Sequence, residues 1–476
     1  EPFIRMAAGF GEASIKHDKE RYEHKYEYCD LLITGSGPSG LASAYAAAKN
    51  GARVILAEDK PRFGGSLLTS DVNIGNQTGV EWTEKIIAEL KSMPNVTVKN
   101  RSQVFGYYDH NMLVMSERIS DHLPKTQKYL PKQRLWYIRA NEVLISSGSI
   151  ERPLVFGNND TPGVMLSSAA KEYMKVYGVL VGKKPLIFTN NDSGYETAIE
   201  FKKNGVNPII LDTRSNPSSD IITEAKNLNI EIRFSYVVVA AKGYKKVKSA
   251  DVAKISDDKK ELFTIENIEC DCICVSGFWT PSIHLASQSG NKSKFNEKID
   301  AFVPDKSKQQ ENTIGSANGI FTLEETIKDA FDKGFDVSNK ITEKNNKVSV
   351  PTVVEKKSTD HDKFWCVPLP KGKSYKRFLD FQNDVAVSDI ELALREGFRS
   401  IEHVKRYTTL GMATDQGKTS NLNGLQLVSD IENKVVPQVG HTTFRPPYTP
   451  FSIGAIVGRD VGKHSKPTRN SPMHAW

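Results

Sequence analysis

The stretch "CDLLITGSGPSGLASAYAAAKNGARVILAEDKPRFGG", residues 29–65, decides the fold of this chain. "LLIT" predicts a short buried strand, "GSGPSG" a tight turn, the Ala-rich "LASAYAAAKN" a helix, and "ARVILAE" a second strand. This order of strand, glycine turn, helix and strand is typical of the unit that binds the diphosphate of a dinucleotide. The complete pattern is far more specific than its glycines alone.

The residues of the turn have separate physical tasks. Gly35 allows the tight turn, Gly37 lets the backbone approach a pyrophosphate, and Gly40 lets helix and strand pack closely. The helix start offers free N–H groups and the positive end of its dipole to phosphates. Glu58 ends the second strand 58 − 40 = 18 positions after Gly40, where a carboxylate accepts hydrogen bonds from ribose hydroxyls and repels a 2′-phosphate. We therefore predict NAD or FAD, rather than NADP, in this first crevice.

The same frame occurs a second time. "LIFTNNDSGYETAIEFKKNGVNPIILD", residues 186–212, aligns without gaps on residues 32–58, at a constant offset of 186 − 32 = 154. Thr189 and Asn191 replace the first two glycines of the turn, whereas Gly194 retains the third, which serves helix packing. The repeat predicts a second nucleotide-binding fold whose crevice has lost its ligand.

Length and composition limit the remaining possibilities. The chain has 476 residues, enough for two or three domains, and its 64 basic and 57 acidic residues give a net charge of +7. The excess charge is spread out, which favours a solvated surface over a nucleic-acid partner. No apolar run is long enough for a membrane span. Five cysteines without a disulfide pattern predict buried thiols and a reducing compartment such as the cytoplasm.

Longer segments of the chain resemble a known family. The chain is similar to the two-dinucleotide-domain flavoprotein reductases, which have a thioredoxin-reductase-like fold, and more closely to the alpha subunits of heterotetrameric sarcosine oxidases. The segments that carry this resemblance are "ERPLVFGNNDTPGVMLSSAAKEYMKVYGV" (151–179), "FTNNDSGYETA" (188–198), "SGFWTPSIHLASQSG" (276–290), "DFQNDV" (380–385), "EGFRSIEHVKRYTTLGMATDQGKTSN" (396–421) and "TTFRPPYTPFSIGA" (442–455).

For the fold, the resemblance implies an α/β protein of flavoprotein reductase type. It has two Rossmann-like dinucleotide-binding domains followed by a small helical module. The expected organisation is an N-terminal arm (1–29), a first NAD-binding domain (30–168 with 290–345), a second, degenerate Rossmann-like domain (169–289), a linker (346–372), a small helical domain (373–425) and a linker (426–476) toward a folate-binding domain that the chain lacks. A small domain before residue 1 is also expected to be missing.

For function, the resemblance implies oxidative demethylation of sarcosine to glycine, with O2 reduced to H2O2 and the one-carbon unit transferred to tetrahydrofolate. The alpha subunit would bind NAD, the beta subunit would carry FAD and oxidise the substrate, and FMN would lie between them, attached to beta. Gamma and delta subunits would complete the oxidase, and the missing C-terminal domain would bind the folate.

The resemblance also assigns site residues, position by position. The expected contacts of NAD are Gly35, Gly37, Pro38, Ser39, Gly40, Glu58, Asp59, Lys60, Gly65, Ser66, Val104 (through its backbone, to adenine), Gly148, Ala317, Asn318 and Leu323. A second set suits a phosphate or flavin surface on the helical module: Lys405, Thr408, Thr409, Gln416 and Lys418. No catalytic residue and no metal ligand stands out.

The sequence departs from the motifs of related flavoproteins in ways that favour NAD, and several alternative functions stay open. The loop "GSANG" (315–319) lacks the Asp that meets the ribityl chain of FAD, which favours NAD in the first crevice. No CxxC pair occurs, which argues against a disulfide reductase, and "DFQND" and "GMATDQGK" contain no cysteine for an iron–sulfur cluster. The alternatives are an NADH-dependent FAD reductase, an assembly scaffold with a purely structural nucleotide, and a subunit of a related opine or secondary-amine dehydrogenase.

Overall fold

The computed structural model describes residues 2–9, 11, 18, 20–124, 129–355, 360–458 and 471–474. Two Rossmann-like units, the first on a mixed sheet and the second on a parallel sheet, precede a helical module, so the predicted α/β class and its two Rossmann-like domains are confirmed. Parts of the predicted arm (1–29) and of the predicted C-terminal linker (426–476) lie outside the described residues.

Helices are interspersed among runs of strands along the chain. The strands are β1 Tyr22–Thr34, β2 Val54–Ala57, β3 Asn73–Ile74, β4 Gln77–Thr78, β5 Val96–Lys99, β6 Ser102–Tyr108, β7 Met112–Arg118, β8 Gln133–Ile145, β9 Ser149–Glu151, β10 Val164–Leu166, β11 Pro185–Thr189, β12 Ile209–Asp212, β13 Glu231–Phe234, β14 Tyr236–Gly243, β15 Val247–Ile255, β16 Leu262–Glu269, β17 Cys272–Ser276, β18 Trp279–Pro281, β19 Ser293–Asn296, β20 Ala301–Pro304, β21 Glu311–Thr313, β22 Val353–Val354, β23 Phe378–Asp380 and β24 Val385–Ala386.

The helices are α1 Pro2–Ala7, α2 Pro38–Lys49, α3 Gly79–Ser92, α4 Ser167–Tyr177, α5 Ser193–Lys203, α6 Asp220–Asn227, α7 His284–Gln288, α8 Leu323–Thr342, α9 Val387–Arg395, α10 Ile401–Thr408, α11 Asn421–Glu432, α12 Val436–Val439 and α13 Ile453–Val457. Short 3-10 turns at Gly65–Leu68 and Gly315–Asn318 complete the regular structure.

The first sheet places the glycine turn at its carboxyl edge. Its strand order is β5-β2-β1-β8-β7-β6, and β21 pairs with β8. β1 is parallel to both β2 and β8, so these strands end on the same side. Leu31 and Ile33 pack into one core and Cys29 and Leu32 into another, because both faces of this strand are covered. The turn after β1 therefore opens at the edge where α/β folds bind ligands.

Two long helices pack side by side on this sheet. A Cβ added to Gly334 of α8 would overlap the carbonyl of Ser43 in α2, so the two backbones approach as closely as a glycine allows. Ser338 of α8 accepts a hydrogen bond from Asn50, which follows α2, at 3.1 Å. α2 and α8 thus run in the same direction, with their N-termini at the same end.

The second unit repeats the first. Its parallel sheet has the order β10-β17-β11-β12-β13, and β11, α5 and β12 correspond to β1, α2 and β2. A Cβ on Gly194 would come within 2.7 Å of Thr189 Cβ, which gives this glycine the packing role that the sequence predicted. The antiparallel strands β14, β15 and β16 cover one side.

The helical module packs against the first unit. Val404, Ile390 and Leu425 share one core with Phe302 and Val303 of β20. Its last long helix, α11, runs seven residues past the predicted limit of 425 to Glu432. At the other end of the chain, β1 begins at Tyr22, inside the range predicted as an arm, because its first half pairs with β8.

Two searches of the described residues bear on function. None of their helices has both the length and the apolarity needed to cross a bilayer. Within the same residues, no group of three or more His, Cys, Asp and Glu side chains is arranged to hold a metal ion.

Candidate dinucleotide-binding site

The glycine turn after β1 leaves open space at the start of α2. Gly35 has φ of +109°, and a Cβ on it would overlap the carbonyl of Ser146; a Cβ on Gly40 would overlap the carbonyl of Gly35. A Cβ on Gly37, in contrast, would meet nothing within 4 Å. No side chain caps α2, which begins with Pro38 at its first position. The free N–H groups of this helix therefore face an opening that fits an anionic group.

Glu58 lies at the end of β2 and is bonded to the turn. Its carboxylate accepts hydrogen bonds from Ser36 N (2.9 Å), Ser36 Oγ (2.6 Å) and Lys60 N (2.8 Å). A carboxylate can accept about four hydrogen bonds, so Glu58 keeps capacity for a ribose hydroxyl. Burial, together with a smaller effect of the neighbouring Asp59, raises the pKa of Glu58 to about 7.

Two short turns narrow the opening. A Cβ on Gly65 would stand 2.8 Å from Gly37 Cα, and a Cβ on Gly315 would stand 2.7 Å from Ser39 Oγ, so both turns lie directly against the start of α2. Ser66 is exposed beside Gly65, while Ala317 is buried and Asn318 half-buried after Gly315. The structure thus brings these predicted residues together around the turn.

The second unit also borders this crevice. Lys60 forms an ion pair with Glu172 of α4 at 2.7 Å, and Asp71 pairs with Lys175 of α4 and with Lys203 of α5. Asp59 is exposed, and its backbone carbonyl accepts a hydrogen bond from Arg118 at 2.7 Å. These ion pairs hold the second unit against the mouth of the first crevice.

Two further predicted residues, Val104 and Gly148, can offer only backbone to a ligand. The side chain of Val104 in β6 is buried with Tyr107 and Leu113, so only its backbone is available for the predicted contact with adenine. Gly148, between β8 and β9, has φ of +77° and open space around its added Cβ. Both positions suit close approach of a ligand to backbone.

The start of α8 differs from that of α2. Leu323 N and Glu324 N donate hydrogen bonds to the two carboxylate oxygens of Glu355, at 2.9 and 3.0 Å. Leu323, predicted as a cofactor contact, therefore has its amide occupied by a side chain of the linker. Sequence reasoning missed Glu355, since nothing in the sequence pairs a linker residue with a helix 32 positions away.

The second crevice is filled by side chains. Asn191 is 1% exposed, and its amide donates to Ser276 O and Ser276 Oγ, both at 3.1 Å. Its own oxygen accepts from Ser193 N at the start of α5 (2.8 Å). Thr189 Oγ1 donates to Asn191 O at 2.8 Å. The groups that would bind a diphosphate here are bonded to each other.

A segment of the linker crosses the same crevice. Asp362 N donates to Asn190 O (2.9 Å), and Asn190 Nδ2 donates to Asp362 O (2.8 Å). Thr213, just after β12, donates its hydroxyl to the carboxylate of Asp362 at 3.1 Å. The backbones of His361 and Asn191 pair in an isolated antiparallel β-bridge. The space over the second turn is therefore occupied by residues 360–364 of the chain itself.

The acidic residue of the second frame is also occupied. Asp212, the counterpart of Glu58, accepts hydrogen bonds from Arg214 (2.8 Å) and from the hydroxyl of Tyr195 (2.7 Å). Arg214 also pairs with Asp192 at 2.8 Å, and its side chain is only 7% exposed. Both carboxylate oxygens of Asp212 are thus occupied, which fits the predicted loss of this ligand site.

The five residues predicted on the helical module divide into two groups. Gln416 is bonded to the backbone of Arg445 and Pro447. Thr408 donates to Val404 O, and Thr409 caps the end of α10 in a left-handed conformation. These three residues therefore have structural roles. The two lysines, Lys405 and Lys418, are half-buried, and burial lowers the pKa of both. Lys418 Nζ lies 4.5 Å from the ring centre of Tyr448. Only the lysines remain candidates for an anion.

Two family models match different parts of the chain. Residues 29–311, more than half of the chain, match the family model described as pyridine nucleotide-disulphide oxidoreductase. Residues 374–459 match the model described as the sarcosine oxidase A3 domain. The second match covers the helical module and extends beyond the range predicted for it.

Individual relatives agree with both matches. The chain is 38% identical to a sarcosine oxidase subunit alpha of Rhizobium meliloti over 100% of the chain and 47% of that protein. The predicted resemblance is thereby confirmed, and the chain spans about half the length of the curated relatives it matches. Its fold is similar to that of L-proline dehydrogenase from P. horikoshii (TM-score 0.64, 18% identity, 93% of this chain and 81% of that one) and to T. acidophilum thioredoxin reductase (TM-score 0.50, 17% identity, 66% and 98%).

Proposed function

The chain belongs to the pyridine nucleotide-disulphide oxidoreductase family, and from that premise we propose that it is the NAD-binding alpha subunit of a heterotetrameric, flavin-dependent sarcosine oxidase. The similarity to sarcosine oxidase alpha subunits over the whole chain supports this proposal. The reaction of the assembled oxidase would be oxidative demethylation of sarcosine to glycine, with O2 reduced to H2O2 and the one-carbon unit passed to tetrahydrofolate.

In this proposal the chemistry of the substrate takes place on a partner chain. FAD in a beta subunit would accept the electrons of sarcosine, and gamma and delta subunits would complete the complex. The residues of this chain would bind and orient a nucleotide and hold the partners together. The cytoplasm, as a reducing compartment, and the lack of a nucleic-acid partner stay predictions.

The observation that carries the proposal is the difference between the two crevices. The first has an open helix start at Gly37 and an unsaturated acceptor at Glu58. The second is filled by Asn191 and crossed by Asp362. A self-sufficient NADH-dependent FAD reductase needs two open nucleotide sites, so this difference argues against it.

The residues of the first crevice fit NAD. The free amides at the start of α2 would bind the diphosphate, and Glu58 would accept from a ribose hydroxyl. Lys60, held by Glu172, would border the nucleotide without contacting a 2′-phosphate. When bound, NAD supplies a ring that can accept a hydride. The variant Glu58→Lys in the assembled complex tests whether this ring takes part in turnover.

The module would contribute the surface for FMN at the junction with the beta subunit. Arg406 and Arg445 act on Lys405 with like charge, and Glu402 acts on it with opposite charge. A half-buried lysine beside two further cations suits a phosphate. Lys405 and Lys418 are therefore the proposed flavin-phosphate contacts, in place of the five residues expected from the sequence.

Identification of the released nucleotide tests the proposal. The native protein is denatured, and the supernatant is separated and quantified by mass spectrometry. We expect about one NAD per chain, because one of the two crevices in the described part of the chain is open. FAD without NAD would contradict the proposal. Co-purification of the partner subunits, followed by oxidation of sarcosine, other N-methyl amino acids and opines, decides which secondary amine is oxidised.

A further inference from the structure

Two lysine-rich segments that are far apart in the sequence meet on one surface. The first is the hairpin turn between β14 and β15, and the second is the loop before β23. Asn158 is bonded to both: its backbone N donates to Lys376 O at 2.7 Å, and its side chain donates to Ala241 O at 3.2 Å. Lys242 Nζ also donates to the hydroxyl of Tyr375 at 3.5 Å. The fold thus gathers charge that the sequence shows as separate runs.

The lysines of this surface are exposed and unpaired. We call the surface the lysine patch, and its members are Lys245, Lys246 and Lys248 of the hairpin with Lys371, Lys373 and Lys376 of the loop. Within the part of the chain that the structure describes, none of them forms an ion pair. Like charges gathered on one surface repel each other and create a positive potential above it. The lysine patch therefore attracts acidic groups.

The acids beside the lysine patch do little to neutralise it. Asp251 is already paired with Lys242 at 3.0 Å, and Glu269 is paired with Lys184 at 2.8 Å. Asp160 is exposed two residues after Asn158, on the turn that bonds to both segments. The six lysines of the patch thus outnumber the free acid next to them.

An exposed aromatic side chain stands at the tip of the hairpin. Tyr244 is 92% exposed, the largest exposed fraction among the large hydrophobic side chains of the described residues. The backbone around it is anchored: Gly243 pairs with Val247, and a Cβ on Gly243 would overlap the carbonyl of Lys246. Val247 N also donates to Pro162 O at 2.9 Å. A ring held on a fixed turn loses little conformational entropy when a partner covers it.

The composition of the patch favours a protein partner over a nucleic acid. Tyrosine is enriched in protein–protein interfaces. Arginine, the side chain that binds phosphates with two parallel hydrogen bonds, does not belong to the patch, because Arg377 is half-buried and donates to Val367 O at 3.0 Å. Lysines act as hydrated point charges, which guide the approach of an acidic surface.

We propose that the lysine patch, together with Tyr244, is a docking surface for an acidic face of a partner chain. This inference rests on the proposed function, which supplies the partner chains. The unpaired lysines would draw the acidic face toward the hairpin, and the ring of Tyr244 would be buried on contact. Charge then controls the approach and its dependence on salt, whereas the tyrosine controls how long the partner stays bound.

The test follows assembly of the purified complex by mass photometry over a dilution series at rising NaCl concentrations. The first variant, Lys245→Glu with Lys246→Glu, reverses two charges of the hairpin. The charge-matched control is Lys306→Glu with Lys308→Glu, because both lysines are exposed in the loop between β20 and β21. Tyr244→Ala removes the exposed ring. Melting temperatures of the variant chains should agree with that of the unaltered chain, because all five side chains are exposed.

Charge and ring should have separable effects on assembly. At low salt, the hairpin reversal should raise the apparent dissociation constant about tenfold or more, because like charges then face each other. This difference should disappear near about 1 M NaCl, where the Debye length falls to about 3 Å. Tyr244→Ala should weaken the complex about fivefold or more at every salt concentration. The loop control should dissociate as the unaltered complex does.

Three results would overturn the inference. Equal dissociation of the reversed and unaltered complexes at low salt, or an equal effect of the loop control, would do so while the proposed function stands. The third is binding of an oligonucleotide, measured by fluorescence anisotropy, that the hairpin reversal abolishes while assembly is unchanged; it would assign the patch to a nucleic acid. If no partner chain purifies with the unaltered protein, the proposed function fails and this inference with it.

Discussion

Gly37 and Asn191 hold equivalent positions in the two strand–helix–strand units, 191 − 37 = 154 residues apart. Gly37 borders open space, whereas Asn191 is 1% exposed and bonds to both Ser276 and the start of α5. One duplicated frame has therefore produced a crevice that can admit a diphosphate and another whose polar groups are satisfied internally. We therefore expect a nucleotide to bind beside Gly37 and not beside Asn191.

Gly37→Asn should remove nucleotide from the first crevice without unfolding the chain. The new side chain meets no protein atom within 4 Å at its Cβ, but it enters the space over the free amides of α2. We expect nucleotide content to fall by more than about tenfold, because a pyrophosphate has no room beside a side chain at this position. Nucleotide released per chain and the melting temperature are the measurements.

Asn191→Gly is the matched control for that variant. It restores the glycine of the second turn but leaves Asp362 bonded to Asn190 across the crevice. No second equivalent of nucleotide should bind. Full nucleotide content in Gly37→Asn, or a second equivalent in Asn191→Gly, would show that these positions do not control occupancy.

Sequence reasoning reached the frame of the site because its requirements are local. The positions of Gly35, Gly40 and Gly194 follow from close backbone contacts within one strand–helix–strand unit, and the structure has those contacts. Glu355, which bonds to the start of α8, and Asp362, which bonds to Asn190 across the second crevice, in contrast belong to a polar linker. Their roles depend on how that linker crosses the sheets, which no periodicity or spacing encodes.

The helical module shows a second limit of prediction from sequence. A threonine or glutamine near a lysine suggests a polar surface, but the same side chains also satisfy helix ends and loops. Gln416 bonds to the backbone of a segment 29 and 31 residues away, and Thr408 bonds within its own helix. Sequence alone could not separate these structural roles from binding roles.

Nucleotide binding should release a proton below pH 7. Burial, aided by Asp59, raises the pKa of Glu58 to about 7, so its carboxyl is largely protonated in acid before ligand binds. Ribose hydroxyls donate to the ionised form, so binding lowers this pKa and the affinity for NAD rises with pH until it levels near 7. Calorimetry at pH 6 in buffers of different ionisation enthalpy measures the proton count.

The raised pKa of Glu58 affects the stability of the fold in the opposite direction: stability falls with rising pH, whereas the affinity for NAD rises. The pKa of Glu58 is higher in the folded than in the unfolded chain, so its contribution is fully present below about pH 4.5 and is lost as the pH rises toward 7. Glu58→Gln should abolish both the proton release and this pH dependence. An unchanged proton count in Glu58→Gln would assign the release to another group.

Arg214→Met should destabilise the protein strongly. Arg214 is bonded to Asp192 and Asp212, and all three side chains are at least nine-tenths buried. Removing the guanidinium leaves two buried carboxylates without their partner, which costs about 3–5 kcal/mol of unfolding free energy. Urea denaturation followed by circular dichroism measures this loss.

Arg233→Met is the comparison for that variant. Arg233 also pairs with two carboxylates, Glu231 and Glu266, but its partners are exposed. Pairs of this kind contribute about 1 kcal/mol or less. Equal losses in the two variants would mean that burial of the Arg214 cluster is not what stabilises the second unit.

Glu58→Lys in the assembled complex separates a structural nucleotide from a reacting one. The lysine removes the ribose acceptor at the end of β2, so NAD should be lost. We expect the melting temperature to fall, since a ligand that binds only the folded state stabilises it. Turnover per assembled complex should stay within about twofold, because loss of a non-reacting ligand leaves the activation barrier unchanged. The closed second crevice gives the physical reason, because it offers no path for a second nucleotide to exchange hydride with the first. Steady-state oxidation of sarcosine, normalised to intact complex by size-exclusion chromatography, is the measurement. A loss of turnover with assembly intact would give the nucleotide a part in the reaction.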